Sequence, residues 1–133
     1  DAVNLGSRLE GLTKFYGIKL LIGEETAKEL DGFLLRLIDK VKVKGKHEAV
    51  ECYEPVSFEA TAGEQLKARV AAYHKALDAY HEQQWDDAQV QFETLLAGEP
   101  ECKLYQVYLE RIETLRTADL PADWDGAYTH TSK

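Results

Sequence analysis

Several residue types are scarce or missing in this 133-residue chain, and each shortage excludes a class of structure. The chain has no methionine and begins with Asp1, so we expect it to be part of a longer polypeptide. Its two cysteines, Cys52 and Cys102, are far apart and have no CxxC spacing, which argues against a disulfide framework or a zinc knuckle. No apolar run approaches the ~20 residues of a membrane span, and no signal segment opens the chain. We therefore expect a cytoplasmic chain, and membrane tethering of the parent by upstream segments stays open.

Positive charge is also in short supply. The chain has 16 basic against 24 acidic residues, which gives a formal net charge of -8. Because the field of the whole molecule repels polyanions, we expect neither nucleic acid nor an anionic membrane as a partner. Any phosphate ligand must then be held by a local cluster of basic side chains.

Residues 1–56 have the mixed pattern of a small α+β domain. An amphipathic stripe predicts a helix over residues 3–16 that Gly17 ends. The apolar run 18–22 predicts a short strand, and the acidic start of segment 24–30 predicts a short helix. The stripe consists of Leu5, Leu9, Leu12 and Tyr16.

A period-two pattern over residues 33–44 predicts a long strand with one buried face. A turn at residues 44–47 and β-type residues over 49–53 then predict a hairpin, which Pro55 closes. The apolar face consists of Phe33, Leu35, Leu37, Val41 and Val43. The polar face consists of Arg36, Lys40, Lys42 and Lys44.

The composition changes at residues 57–63, which we interpret as a linker, and residues 64–133 read as a helical extension. Three stripes of apolar residues at three-to-four spacing predict three helices. The first two resemble a tetratricopeptide-like hairpin, but one repeat is too little for a stacked solenoid. The last residues, 120–133, are predicted to form an extended, docked tail.

One polar pair lies beside the first stripe. Asn4 and Arg8 are four residues apart, so on a helix they project from neighbouring turns on one side. An arginine there offers a planar donor fork for phosphate oxygens, and an asparagine can orient a sugar. On spacing alone, a solvated helix face is the more frequent explanation. The lysine series 40, 42, 44 and 46 would likewise more often be the charged face of an edge strand.

The surrounding sequence motif instead favours a functional role for Asn4, Arg8 and part of the lysine series. Residues 1–10 resemble the signature helix of class III adenylyl and guanylyl cyclases, in which Val-Asn is followed by small residues and an arginine. Segments 12–17 and 41–46 are placed as that family places them, so the resemblance covers roughly residues 1–55. It implies the latter half of a ferredoxin-like cyclase domain, followed by the helical hairpin, a third helix and the tail.

The resemblance also implies a role for each candidate site residue. Asn4 would position the ribose, Arg8 would stabilise the α-phosphoryl transition state, and Lys44 would hold the terminal phosphates of a nucleoside triphosphate. Lys46 is the second phosphate-binding candidate, because the hairpin could direct it either way. Lys40 and Lys42 are interpreted as structural. ATP is preferred over GTP only at the level of the family.

What the chain lacks completes the expectation. In this family two Mg²⁺ or Mn²⁺ ions are bound by aspartates early in the catalytic domain, upstream of Asp1, and each active site forms between two subunits of a dimer. The resemblance therefore implies a fragment of a cyclase that is inactive alone and binds no metal itself. The alternative is a non-catalytic module that binds a protein partner or dimerises through its helical region.

Overall fold

The computed structural model describes residues 11–42 and 49–129, and these fall into two compact units. The sheet unit consists of the described residues up to Ala62 together with residues 127–129. The helical unit consists of residues 63–126. This mixed helix and sheet content agrees with the α+β class predicted from the sequence.

Helix α1, described over residues 11–16, ends as the sequence predicts. Gly17 adopts a positive φ of 71°. The N–H of Ile18 donates to the carbonyl of Thr13 at 3.0 Å, and the N–H of Gly17 donates to the carbonyl of Lys14 at 3.3 Å. This pair of bonds is the Schellman arrangement that closes many helices at glycine. It fixes Tyr16, the last helical residue, at a defined turn of the chain.

The next two elements are short. Strand β1 covers only Ile22–Gly23, at the end of the predicted strand 18–22, because only these residues pair with β3. Leu20, inside the predicted strand, is 53% exposed. Helix α2, Glu24–Lys28, confirms the predicted short helix, with acidic residues in its first turn and Lys28 in its last.

The sheet has four strands in the order β1, β3, β2, β4. Strands β2, Phe33–Lys42, and β3, Val50–Phe58, form the predicted antiparallel hairpin, although residues 43–48 lie outside the described part. Strand β4, Tyr128–Thr129, runs parallel to the end of β2 and pairs with Val41 and Lys42. The predicted tail thus contributes a strand to the sheet unit.

The single buried face predicted for β2 is wrong in detail. Leu37 pairs with Tyr53 and Asp39 pairs with Cys52, so the strand register shifts at Ile38, which marks a bulge. A bulge shifts the alternation of side chains by one residue. As a result Ile38 and Asp39 are both buried next to Val41, while Phe33, Leu35 and Leu37 are only half-buried.

Strand β3 also continues beyond Pro55, where the sequence predicts its end. A second register shift falls where Leu34 pairs with Ser57 and Leu35 pairs with Pro55. Proline has no N–H to donate, and bulges are among the few places in a sheet that tolerate it. The strand then extends to Phe58, whose ring packs against Phe33 with 4.6 Å between the ring centroids.

The helical unit confirms the three predicted helices. They are α3, Glu64–His81, α4, Trp85–Gly98, and α5, Lys103–Leu115. Their apolar stripes meet in an aromatic core, where Phe92 stacks on Tyr108 with ring centroids 5.2 Å apart and planes 2° from parallel. The fully buried rings are Tyr73, Tyr80, Phe92, Tyr105 and Tyr108. Among the described residues, no helix is both long and apolar enough to cross a membrane.

Candidate functional site

All four residues that the sequence assigns to the site, Asn4, Arg8, Lys44 and Lys46, lie outside the described residues. Their roles therefore stay predictions. The structure does describe parts of the two elements that adjoin them: residues 11–16 of α1, which follow Arg8 in the sequence, and the C-terminal end of β2, which precedes Lys44. The candidate site is built from the contact between these two parts.

A buried polar contact joins α1 to β2. The hydroxyl of Tyr16 donates to Oδ2 of Asp39, and the two residues are 0% and 1% exposed. The other carboxylate oxygen, Oδ1, accepts the backbone N–H of Lys40 at 2.8 Å. Asp39 therefore uses one oxygen to hold the helix and the other to fix its own position on the strand.

The neighbours of Asp39 form an apolar and acidic surrounding. Cys52 faces it across the β2–β3 pair and is fully buried. Burial raises the pKa of the Cys52 thiol to about 12, and the negative charges of Asp39, Glu24 and Glu51 add to the shift. The thiol is thus a protonated core group rather than a nucleophile at neutral pH.

A second acidic contact ties α2 to β3. The side chain of Glu24 accepts the backbone N–H of Glu51 at 3.1 Å. The hydroxyl of Tyr53 donates to Oε1 of Glu51 at 2.9 Å. Burial and this hydrogen bond raise the pKa of Tyr53 to about 12. These contacts stabilise the hairpin on the side where β3 meets β1 and α2.

Two lysines of β2, Lys40 and Lys42, lie in the described part of the chain. Lys40 stands opposite Glu51 in the strand register, which is a favourable cross-strand pairing of charges. Lys42 pairs with Thr129 of β4 through the backbone ladder. Both lysines are half-buried at the sheet.

The helical unit has a separate cleft of about 520 Å³ at the turn between α3 and α4. Arg116 crosses it, donating from Nη2 to Oδ1 of Asp86 at 2.7 Å and to Oε1 of Gln89 at 2.9 Å. None of the residues that line this cleft was predicted to take part in catalysis. The lining residues are Gln83, Gln84, Trp85, Asp86, Asp87 and Arg116.

Metal binding has no candidate in the described part of the chain. Across residues 11–42 and 49–129 there is no group of three or more His, Cys, Asp or Glu side chains that could hold an ion.

Sequence reasoning missed the Tyr16–Asp39 contact. The sequence pattern assigns Tyr16 only to the apolar stripe and gives Asp39 no role. One signal was available, because Asp39 occupies a period-two position between Leu37 and Val41, on the face predicted to be buried. A carboxylate at such a position indicates a specific polar partner.

Two curated proteins resemble this chain. It is 35% identical over 126 residues to a protein of Dictyostelium discoideum named "Adenylate cyclase, terminal-differentiation specific", a match covering 90% of this chain and 6% of that protein. It is 59% identical over 58 residues to the adenylate cyclase of Anabaena cylindrica, covering 41% of this chain and 12% of that protein. No protein-family model and no solved structure matches the chain.

These similarities make the chain homologous to segments of proteins named adenylate cyclase. It spans only a small part of the length of either relative. Because 90% of this chain is matched in the Dictyostelium protein, that similarity necessarily includes residues of both the sheet unit and the helical unit. The helical region therefore has a counterpart in a protein that carries the cyclase name.

Proposed function

We propose that the chain is the C-terminal part of a class III adenylate cyclase catalytic domain with a tetratricopeptide-like helical extension. The parent would convert ATP to 3′,5′-cyclic AMP and pyrophosphate. The observation that carries the proposal is the 59% identity over 58 residues with the adenylate cyclase of Anabaena cylindrica. The signature pattern around Asn4 and Arg8 supports the assignment to class III.

The reaction explains why these residue types are needed. The ribose O3′ attacks the α-phosphorus while the bond from that phosphorus to the bridging oxygen of the β-phosphate breaks, so pyrophosphate leaves and the 3′-hydroxyl gives up its proton. Negative charge develops on the phosphoryl oxygens and on the leaving group. Preorganised cations stabilise such charge best. Arg8 would act at the α-phosphoryl group, Lys44 and Lys46 at the terminal phosphates, and Asn4 at the ribose.

The proposal assigns the remaining parts of the active site to chain that precedes this segment. The aspartates that hold Mg²⁺ or Mn²⁺ would lie upstream, and a second subunit would supply them to the site across a dimer interface. When bound, these ions would activate the 3′-oxygen and neutralise phosphate charge. This chain alone would then be inactive. Cys52 and Cys102, both among the described residues, form no disulfide, which suits a cytoplasmic enzyme.

The decisive test uses the parent enzyme with matched pairs of substitutions. We expect Arg8→Ala to lower kcat by roughly 100-fold or more, because it removes a preorganised cation from the transition state. We expect Lys44→Ala to lower kcat/KM for ATP by roughly 10- to 100-fold, because it removes a charge-assisted contact to phosphate. Lys46→Ala, assayed in parallel, measures how much Lys46, the second phosphate-binding candidate, contributes to kcat/KM for ATP.

Two control substitutions also remove a positive charge, but at positions outside the proposed site. Lys14 is an exposed cation on the described part of α1, and Lys42 lies two residues before Lys44 on β2. Lys14→Ala and Lys42→Ala should leave cyclic AMP production unchanged. If Arg8→Ala and Lys44→Ala behave like these controls, the assigned roles are wrong.

A second candidate function concerns the helical unit. Its three helices enclose an aromatic core of their own, and none of the predicted catalytic residues belongs to it. We propose that this unit binds a protein partner or mediates self-association. Deleting residues 64–133 would also remove β4 from the sheet, so replacing residues 63–126 by a flexible linker is the sharper test. The association state is measured by analytical ultracentrifugation. An association state that this replacement leaves unchanged would contradict the interaction role.

A further inference from the structure

We infer that the cleft at the turn between α3 and α4 binds an arginine side chain of a basic partner protein. The inference rests on the proposed partner-binding role of the helical unit, and it names the chemistry of that partner. The cleft combines an aromatic wall, the ring of Trp85, with polar groups from the turn, from the first turn of α4 and from Arg116. Its volume of about 520 Å³ lies in the range of clefts that hold a small ligand group.

The first argument is that the aromatic wall is held in a fixed orientation. Trp85 is the first residue of α4 and is half-buried. Its ring meets Tyr80 edge to face with the centroids 5.6 Å apart, and it meets Trp124 in the same way at 5.7 Å. A ring that two neighbours hold in place, and that is still partly exposed, offers a preorganised surface on which a guanidinium group can stack.

The second argument is that the cleft already accepts one guanidinium group and keeps room for another cation. Arg116 donates to both Asp86 and Gln89 inside it. The side chain of Asp86 is nevertheless 95% exposed. Asp87 also lines the cleft and makes no ion pair with any residue in the described part of the chain. The lining therefore holds two carboxylates and one cation, so one negative charge is left for a ligand to neutralise.

The third argument is the charge of the whole helical unit. Residues 63–126 contain 13 acidic and 6 basic residues, so this unit carries -7 of the net charge of -8. Acidic residues in a first helical turn stabilise the helix itself, but here the excess of acidic residues extends over all three helices. Two copies of so acidic a unit repel each other, whereas a basic protein is attracted to it. Of the two roles proposed for the unit, charge therefore favours the binding of a partner.

The experiment measures how a fluorescein-labelled peptide of alternating arginine and glycine binds to the full 133-residue chain, by fluorescence anisotropy at physiological ionic strength. We expect saturable binding. The same peptide with lysine in place of arginine should bind roughly 3-fold more weakly, because an ammonium group cannot stack on Trp85 as a planar guanidinium does. A peptide with citrulline in place of arginine keeps the shape without the charge and should not bind.

Two matched double substitutions locate the binding. Asp86→Asn combined with Asp87→Asn removes two negative charges from the cleft and should weaken binding of the arginine peptide by roughly 5- to 20-fold. Glu64→Gln combined with Glu101→Gln is the control. It also removes two negative charges, but at the start of α3 and beyond the end of α4, ~20 Å or more along these helices from the turn that joins them. Because salt screens charges at that distance, the control should change binding by less than about 2-fold.

A third variant, Gln83→Gly, separates binding from folding. Gln83 has a positive φ of 61°, a conformation that glycine adopts without steric cost. The substitution removes a side chain that lines the cleft and should weaken peptide binding by roughly 2- to 5-fold. The midpoint of thermal unfolding should rise, because the backbone strain is relieved. A loss of binding in a more stable variant cannot come from unfolding.

The outcomes distinguish this inference from the proposed role of the helical unit. If the unmodified chain does not bind the arginine peptide, if the two double variants bind it equally well, or if the arginine and lysine peptides bind equally, the cleft is not the binding site and this inference alone is wrong. Self-association that Asp86→Asn combined with Asp87→Asn abolishes would assign the cleft to a second copy and also contradict it. If a chain with a flexible linker in place of residues 63–126 binds the peptide as tightly as the unmodified chain, partner binding by the helical unit fails, and this inference fails with it.

Discussion

At the scale of single residues, the two cysteines differ in environment. Cys52 is fully buried and faces Asp39, whereas Cys102 is half-exposed at the start of α5. Because burial and nearby carboxylates raise the pKa of Cys52 to about 12, the thiolate fraction at pH 8 is on the order of one in ten thousand. Its contribution to stability is complete below about pH 9 and is lost as pH rises towards 12, since the unfolded thiol ionises first.

This difference predicts selective labelling. In the native chain at pH 8, an aromatic disulfide reagent should modify Cys102 and leave Cys52 unmodified until guanidinium unfolds the chain. The absorbance of the released thiolate counts the modified residues. The variant Cys102→Ser should show almost no labelling in the native state. Labelling of both thiols at similar rates in native protein would contradict the buried position of Cys52.

At the scale of elements, the hairpin of β2 and β3 is held by a charged pair. Nε of Arg36 donates to Oε1 of Glu54 at 3.1 Å, and their side chains are only 16% and 17% exposed. They are direct neighbours in the strand register. A pair that is this well covered contributes more than an exposed one, because the loss of one partner leaves the other poorly hydrated.

We expect Arg36→Ala to lower the free energy of unfolding by ~1–3 kcal/mol, measured by denaturation in urea. The control is Lys28→Ala, which breaks the exposed pair with Glu25, whose side chains are 68% and 89% exposed. That change should cost less than ~1 kcal/mol. Equal effects of the two substitutions would show that burial of the Arg36–Glu54 pair adds nothing to stability.

The elements also show how far the sequence could be interpreted. The stripe and Gly17 were enough to predict the end of α1, and the three later stripes predicted α3, α4 and α5, because helix periodicity is a local property. The bulge at Ile38 could not be predicted from the sequence. A bulge depends on how a strand pairs with its partner strand, and not only on the strand's own residue pattern. Strict alternation places Ile38 and Asp39 on opposite faces, so the burial of both could not be predicted without that bulge.

The catalytic and phosphate-binding residues of the candidate site stay predictions from the sequence, whereas the Tyr16–Asp39 contact was missed by it. Asn4, Arg8 and Lys44 stand out because charged and amide side chains in a known motif carry chemical information. Tyr16 does not stand out, because a tyrosine in an apolar stripe is normally a packing residue. Its hydroxyl acquires a role only through a residue 23 positions later in the chain. Contacts of that kind are visible only in three dimensions.

At the scale of the whole molecule, the proposed assignment predicts complementation. The chain alone should produce no cyclic AMP from ATP in the presence of Mg²⁺ or Mn²⁺, because the proposed metal ligands lie upstream. Mixing it with a separately expressed upstream segment of the same parent should restore cyclase activity. This activity is measured by the release of pyrophosphate. The same mixture made with Arg8→Ala should stay inactive. Activity of the chain alone would contradict the proposed incompleteness.

The parallel pairing of β2 with β4 limits the order in which the chain can assemble during synthesis. The β2–β3 hairpin can form early, but Tyr128 and Thr129 leave the ribosome only after the whole of the segment 63–126 has been made. Until then the backbone groups of Val41 and Lys42 that β4 covers are an open sheet edge, which is the feature that promotes pairing between chains. Translation that stops before Tyr128 should therefore yield products that aggregate.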